Sequence, residues 1–129
     1  MNIHQKIHFN APVKNVFELL INAEKFAELT SAEALIDCKM GGQFSVFGGM
    51  ITGVTIELIQ DELIVQAWRP ENWPRGEYSI VKFEFEKVSA DSTNLILVHS
   101  GFPPEFRQHL SEGWEQRYWT PMQKFLENE

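Results

Sequence analysis

The chain has 129 residues, a formal net charge of −7 and one cysteine. That length supports a single domain spanning residues 1–129, able to bury roughly two-thirds of its unfolded surface, and an acidic chain without clustered Lys or Arg excludes nucleic-acid and anionic-membrane partners. No apolar run approaches the roughly 20 residues of a membrane span and no signal-peptide core opens the chain, while a lone Cys38 precludes an internal disulfide and fits a cytoplasmic, reducing setting.

Ile3, Gln5, Ile7 and Phe9 alternate with His4, Lys6 and His8, which predicts a first strand with one apolar face. Asn10 is expected to cap a helix with Ala11 and Pro12 in its first turn, where the missing proline N–H costs nothing. Val13, Val16, Phe17 and Leu20 recur at helical spacing, and a second short helix is predicted over residues 24–29. Six strands are then expected, over 35–39, 43–47, 50–59, 63–69, 78–88 and 94–100. The glycine pairs 41–42 and 48–49 bracket QFSVF and supply the positive φ that tight reversals need, so this stretch reads as a curved meander.

A closing helix is predicted from 104 to 126. Its residues Phe106, Leu110, Trp114, Tyr118, Met122 and Leu126 lie four apart in one apolar stripe. Gly113 lies beside that stripe, where a missing side chain is expected to let the helix approach the sheet. Pro121 is expected to kink or break the helix near 117–121.

The order is therefore β-αα-β(6)-α, an α+β class with no βαβ alternation. This layout resembles the helix-grip, START-like fold shared with the birch-pollen allergens, in which a curved antiparallel sheet wraps a long C-terminal helix. Ala11-Pro12-Val13 with Val16-Phe17, GGQFSVFGG at 41–49, Ile51-Thr52-Gly53, Trp68-Arg69, Trp73-Pro74-Arg75-Gly76 with Tyr78-Ser79, and Gly113-Trp114 through Tyr118 and Pro121 follow one another in order. In these the chain is similar to the C-terminal domain of the activators of the heat-shock protein 90 ATPase, over essentially its whole length. The resemblance implies an intracellular protein with no catalytic residues and no cofactor in this domain. It also implies that the principal chaperone contact belongs to a separate N-terminal domain, which is expected to be absent because the chain starts at the first strand of the fold.

Individual residues offer little chemistry. His4 and His8 would suit a metal on a helix, but on a strand they stand about 13 Å apart. Cys38 has no histidine or carboxylate placed beside it, and Asp61-Glu62 reads as a solvated turn. Glu57 and Arg69 are charged residues inside apolar strands, facing either solvent or a cavity. His99 continues the register of Thr93, Leu95 and Leu97, so it is either a polar group at a cavity mouth or a hydrogen-bonded structural histidine.

Two binding features remain. The sequence is 12% aromatic, with ten Phe, enough rings either to fill a core or to line a cavity between sheet and helix. Phe44, Val46, Val54, Trp68, Phe83 and Phe85 would supply the sheet side, Trp114 and Tyr118 the helix side, with His99 among them, and the ligand would be apolar or amphipathic. Trp73 and Arg75 sit in a proline-stiffened loop, where Trp73 either anchors a protein partner or folds back over the terminal helix. The expected function is a non-enzymatic binding module for a small apolar ligand. The alternative is a co-chaperone-like module making a weak heat-shock protein 90 contact, and an enzyme of cyclase or hydrolase type ranks behind both for want of a converging acid–base set.

Overall fold

A computed structural model describes residues 2–128. Seven strands form one antiparallel sheet in the order β1-β7-β6-β5-β4-β3-β2. They are β1 (Ile3–Phe9), β2 (Leu35–Ile36), β3 (Gln43–Val46), β4 (Ile51–Ile59), β5 (Leu63–Pro70), β6 (Ser79–Ser89) and β7 (Ser92–Ser100). Helices α1 (Val13–Ile21) and α2 (Ala23–Thr30) follow β1, and the chain ends in a composite helix that lies in the concave face. The expected helix-grip order is observed.

Period-two burial runs along the strands because one face of the sheet is core and the other solvent. In β7, Thr93, Leu95, Leu97 and His99 are buried, as are Ser79, Val81, Phe83 and Phe85 in β6. Curvature comes from bulges between Thr55 and Glu57 in β4 and between Lys87 and Ser89 in β6, each of which bends and twists its strand. The reversal between β3 and β4 is a 3₁₀ turn over Phe47–Gly49, with Gly48 at φ +65 and Gly49 at φ +95, angles glycine adopts without penalty.

Three local expectations need correction. Asn10 does not cap α1. The helix begins two residues later with Pro12 at its N-cap, and the Asn10 side-chain Oδ1 is engaged by His8 Nε2 at 3.2 Å instead of capping. Strand β2 is only two residues long, since the chain from Asp37 to Gly42 turns back on itself, with the Lys39 N–H donating to the Asp37 carbonyl and the Gly42 N–H to that of Lys39. Gly113 does not pack on the sheet: a Cβ there would meet nothing within 4 Å.

The terminal helix is not one α-helix. A 3₁₀ turn (Pro104–Phe106) leads into α3 (Arg107–Gly113), a π-helical stretch (Trp114–Trp119) and α4 (Thr120–Glu127). Pro121 has no N–H for an α-helical bond to Arg117, and the break expected near it takes the form of this wider turn, in which the Thr120 N–H bonds the Glu115 carbonyl. Leu110, Trp114, Tyr118 and Met122 of the expected stripe are buried, while Phe106 and Leu126 are only partly so. Trp119 joins the buried set, stacked on Trp114 with ring centres 5.6 Å apart. Its Nε1 donates to Gln5 Oε1 at 2.7 Å, and the Gln5 amide nitrogen in turn donates to Ser111 Oγ at 3.0 Å, so edge strand β1 is latched to the helix.

The tightest steric fit lies at Gly53, where a Cβ would come within 1.9 Å of the Ala67 carbonyl oxygen and 2.6 Å of the Phe44 ring. Gly53→Ala is expected to destabilise the protein by about 2 kcal/mol or more in urea denaturation. The double variant Gly53→Ala/Phe44→Ala should recover none of it, because the backbone clash remains.

Candidate functional site

At the centre of the sheet a polar chain crosses the core. Trp114 Nε1 donates to His99 Nδ1 at 3.1 Å, His99 Nε2 bonds Ser79 Oγ at 2.8 Å, and Ser79 Oγ donates to the Trp68 carbonyl at 2.9 Å. The direction is fixed by elimination. Indole N–H is a donor only, so Nδ1 must accept, the neutral ring carries its proton on Nε2, and Ser79 passes its own proton to the carbonyl. His99 is 0% exposed, and burial drives its pKa down to about 3. A protonated ring would also turn a second N–H against the Trp114 donor.

Beside this chain an open cleft of about 510 Å³ separates the ends of β4 and β5 from the terminal helix. Its inner wall is aromatic: Trp68 and Trp114 stack at 5.4 Å, and Trp114 meets Tyr118 at 4.3 Å. Phe47, held at φ +54, closes one end between Phe26 and Tyr118, at 5.5 and 5.4 Å. The other end is closed by Trp73, stacked on Phe106 at 6.2 Å. Glu71, Asn72, His109, Glu112, Gln116 and Arg117 make a polar rim. Burial pushes the Tyr118 phenol up, well beyond its ordinary range. The neighbouring Trp68 indole offsets this only in part, and its Nε1 reaches no partner of normal hydrogen-bond geometry.

Of the cavity residues expected from sequence, Trp68, Trp114 and Tyr118 line this cleft. Phe44, Val46 and Phe83 do not: they surround a void of about 10 Å³, at the lower limit for one water, so that part of the interior is filled core. Phe85 packs edge-on against Phe17 of α1 at 5.1 Å. Val54 lies on the outer face, because the strand alternation buries Ile51, Gly53 and Thr55 instead. His99 is not at a mouth but walled in by Trp114 and by Phe102, at 5.1 Å. Trp73 is 5% exposed, so the folded-back alternative holds and the exposed-anchor reading fails. The Arg69 guanidinium donates to the Trp73 and Pro74 carbonyls and holds the loop there, leaving Arg75 exposed. Glu57 and Cys38 face solvent.

Sequence reasoning found Trp114 and Tyr118 on the helix side of the cleft but missed Ser79 in the core and Phe106 and Leu110 in the cleft wall. Ser79 had a signal, a small polar residue at an inward position in register with Val81 and Phe83. Phe106 and Leu110 were legible as a stripe, but a stripe does not reveal which of its members face a gap.

The family model described as activator of Hsp90 ATPase homolog 1-like protein matches residues 10–127. An activator of 90 kDa heat shock protein ATPase homolog from Dictyostelium discoideum is 31% identical over 86% of this chain and 29% of its own length. The mouse homolog 2 is 25% identical over 97% of this chain and 38% of its own. The chain thus spans less than two-fifths of these curated relatives. The crystal structure of an Hsp90 activator from Plasmodium falciparum superposes with a TM-score of 0.91 at 27% identity, covering 98% of this chain and 96% of that one.

The lowered pKa of His99 makes stability depend on pH. Between about 6.5 and about 3 the unfolded chain binds a proton at His99 that the folded chain refuses, so stability falls as pH falls through that window. The slope is up to about 1.4 kcal/mol per pH unit. Urea denaturation from pH 7 to pH 4 should show this component in the wild type and not in His99→Gln. Equal slopes would mean that His99 titrates normally.

Proposed function

The chain belongs to the activator of Hsp90 ATPase homolog 1-like family, and we propose that within it this domain is a non-catalytic binding module whose cleft takes a small amphipathic ligand. The observation that carries this reading is the open, ring-walled space of about 510 Å³ with a polar rim, a size and lining typical of small-molecule sites. The apolar body would lie against Trp68 and Trp114, and a polar end would reach the rim near Gln116 and Arg117. The histidine with the most perturbed pKa is tied into structural hydrogen bonds at both nitrogens, which favours a binding role over an acid–base one. Native mass spectrometry of protein purified from its own source is expected to retain an apolar mass, and the neutral dye N-phenyl-1-naphthylamine is expected to quench tryptophan emission. Loss of both results would remove the ligand reading.

A second reading, contact with an Hsp90 chaperone, is favoured by one specific observation: the Plasmodium falciparum activator is matched over 96% of its crystallised chain. With Trp73 buried, Arg75 is the exposed member of the loop and the residue expected to touch such a partner. Calorimetric titration against the chaperone of the same organism is expected to give a Kd of tens of micromolar, about −6 to −7 kcal/mol. Arg75→Ala should weaken it at unchanged Tm. Absence of any heat of binding would remove this second reading.

A further inference from the structure

Gly113 lacks the reasons that usually place a glycine inside a helix. Its φ of −62 and ψ of −39 are ordinary helical angles open to every residue. Nothing approaches it closely, since a built Cβ would find no atom within 4 Å. Glycine here nevertheless lowers stability relative to alanine. What distinguishes the position is that it belongs to the wall of the cleft, on the helix between Leu110 and Trp114, with Met50, Trp68 and Pro70 in the sheet side of the same cleft. A side chain at 113 would project into the space that a ligand needs.

We propose that Gly113 sets the width of the cleft and thereby admits ligands with a bulky, ring-bearing apolar body, a proposal that rests on reading the cleft as a binding site. The class of ligand follows from the lining: Trp68, Trp73, Phe106 and Trp114 all border the same cleft as Gly113, and aromatic side chains offer large apolar contact area to a ring-bearing body. A leucine or phenylalanine at 113 would stand in that gap without disturbing the core, because the core does not reach it.

The test combines thermal denaturation with titration by N-phenyl-1-naphthylamine, in wild type, Gly113→Ala, Gly113→Leu and Gly113→Phe. Higher helix propensity should leave the alanine and leucine variants at or above the wild-type Tm, by about 2–5 °C. Alanine should hold dye affinity within about threefold, while leucine and phenylalanine should weaken it by more than about tenfold. Leucine and phenylalanine variants that bind as tightly as wild type overturn the assignment of Gly113 while leaving the cleft itself a site. A leucine variant with a lowered Tm shows instead that the position is packed, and also overturns it. A wild type that takes up no dye defeats the reading of the cleft and this proposal together. A linear-chain probe, cis-parinaric acid, should bind wild type at least about tenfold more weakly than the dye, and equal affinities would sink the preference for a bulky ring-bearing body.

Discussion

The terminal helix is held in the sheet by a hydrogen-bonded chain that runs from Trp114 through His99 and Ser79 to the Trp68 carbonyl. Each link has one possible donor, so the chain works in one register only. Sliding the helix by a residue would strand an indole N–H, a ring nitrogen and a hydroxyl away from water. Each stranded group costs about 1–3 kcal/mol, a large share of a total stability of about 5–15 kcal/mol. Hydrophobic burial alone would tolerate several positions of a Trp-bearing helix in a curved sheet. The polar chain selects among them, and burial keeps it neutral by holding His99 down at about 3.

With Trp114 fixed, the two halves of the helix meet different surroundings. C-terminal to it, Tyr118, Trp119 and Met122 are buried, and α4 packs on α1 and α2. N-terminal to it, the helix stands away from the ends of β4 and β5, and the cleft occupies the difference. Its far end is closed by Trp73, which Arg69 holds through two carbonyls of the loop. The cleft is thus framed by an anchor inside the core and a cation outside it, with Gly113 leaving the wall between them bare.

The fold was legible because periodicity reports which face of an element is apolar. The alternation in β1, β6 and β7 and the glycine pairs around β3 placed the strands, although β2 was expected to run three residues longer than Leu35–Ile36. Features that depend on what lies opposite were not legible. Val54 and Phe44 are both apolar strand residues, and only the β3–β4 register, which sets Phe44 opposite Gly53 and Val54 opposite Gln43, decides that one faces out and the other lies over Gly53. Trp73 followed two alternatives in sequence, and the Phe106 ring beneath it decided between them. Gly113 has the composition of a close-packing contact, yet its meaning reversed once the neighbouring space proved empty.

The π-helical stretch shows how one local constraint is turned to account. In a regular α-helix, at about 100° per residue, Trp119 would point about 140° away from Trp114 and leave the core. A bond from residue i to i+5 instead brings the fifth residue over the first. Pro121 already denies Arg117 an α-helical partner, so widening the turn there forfeits less than it would elsewhere in the helix. The wider turn carries Trp119 inward to stack on Trp114 and lets its Nε1 reach Gln5 on the edge strand. The helix is therefore pinned twice, by Trp114 to His99 on β7 and by Trp119 to Gln5 on the neighbouring edge strand β1. Two pins five residues apart along the helix, each to a different strand, oppose rotation as well as sliding, which is what a fixed cleft wall requires.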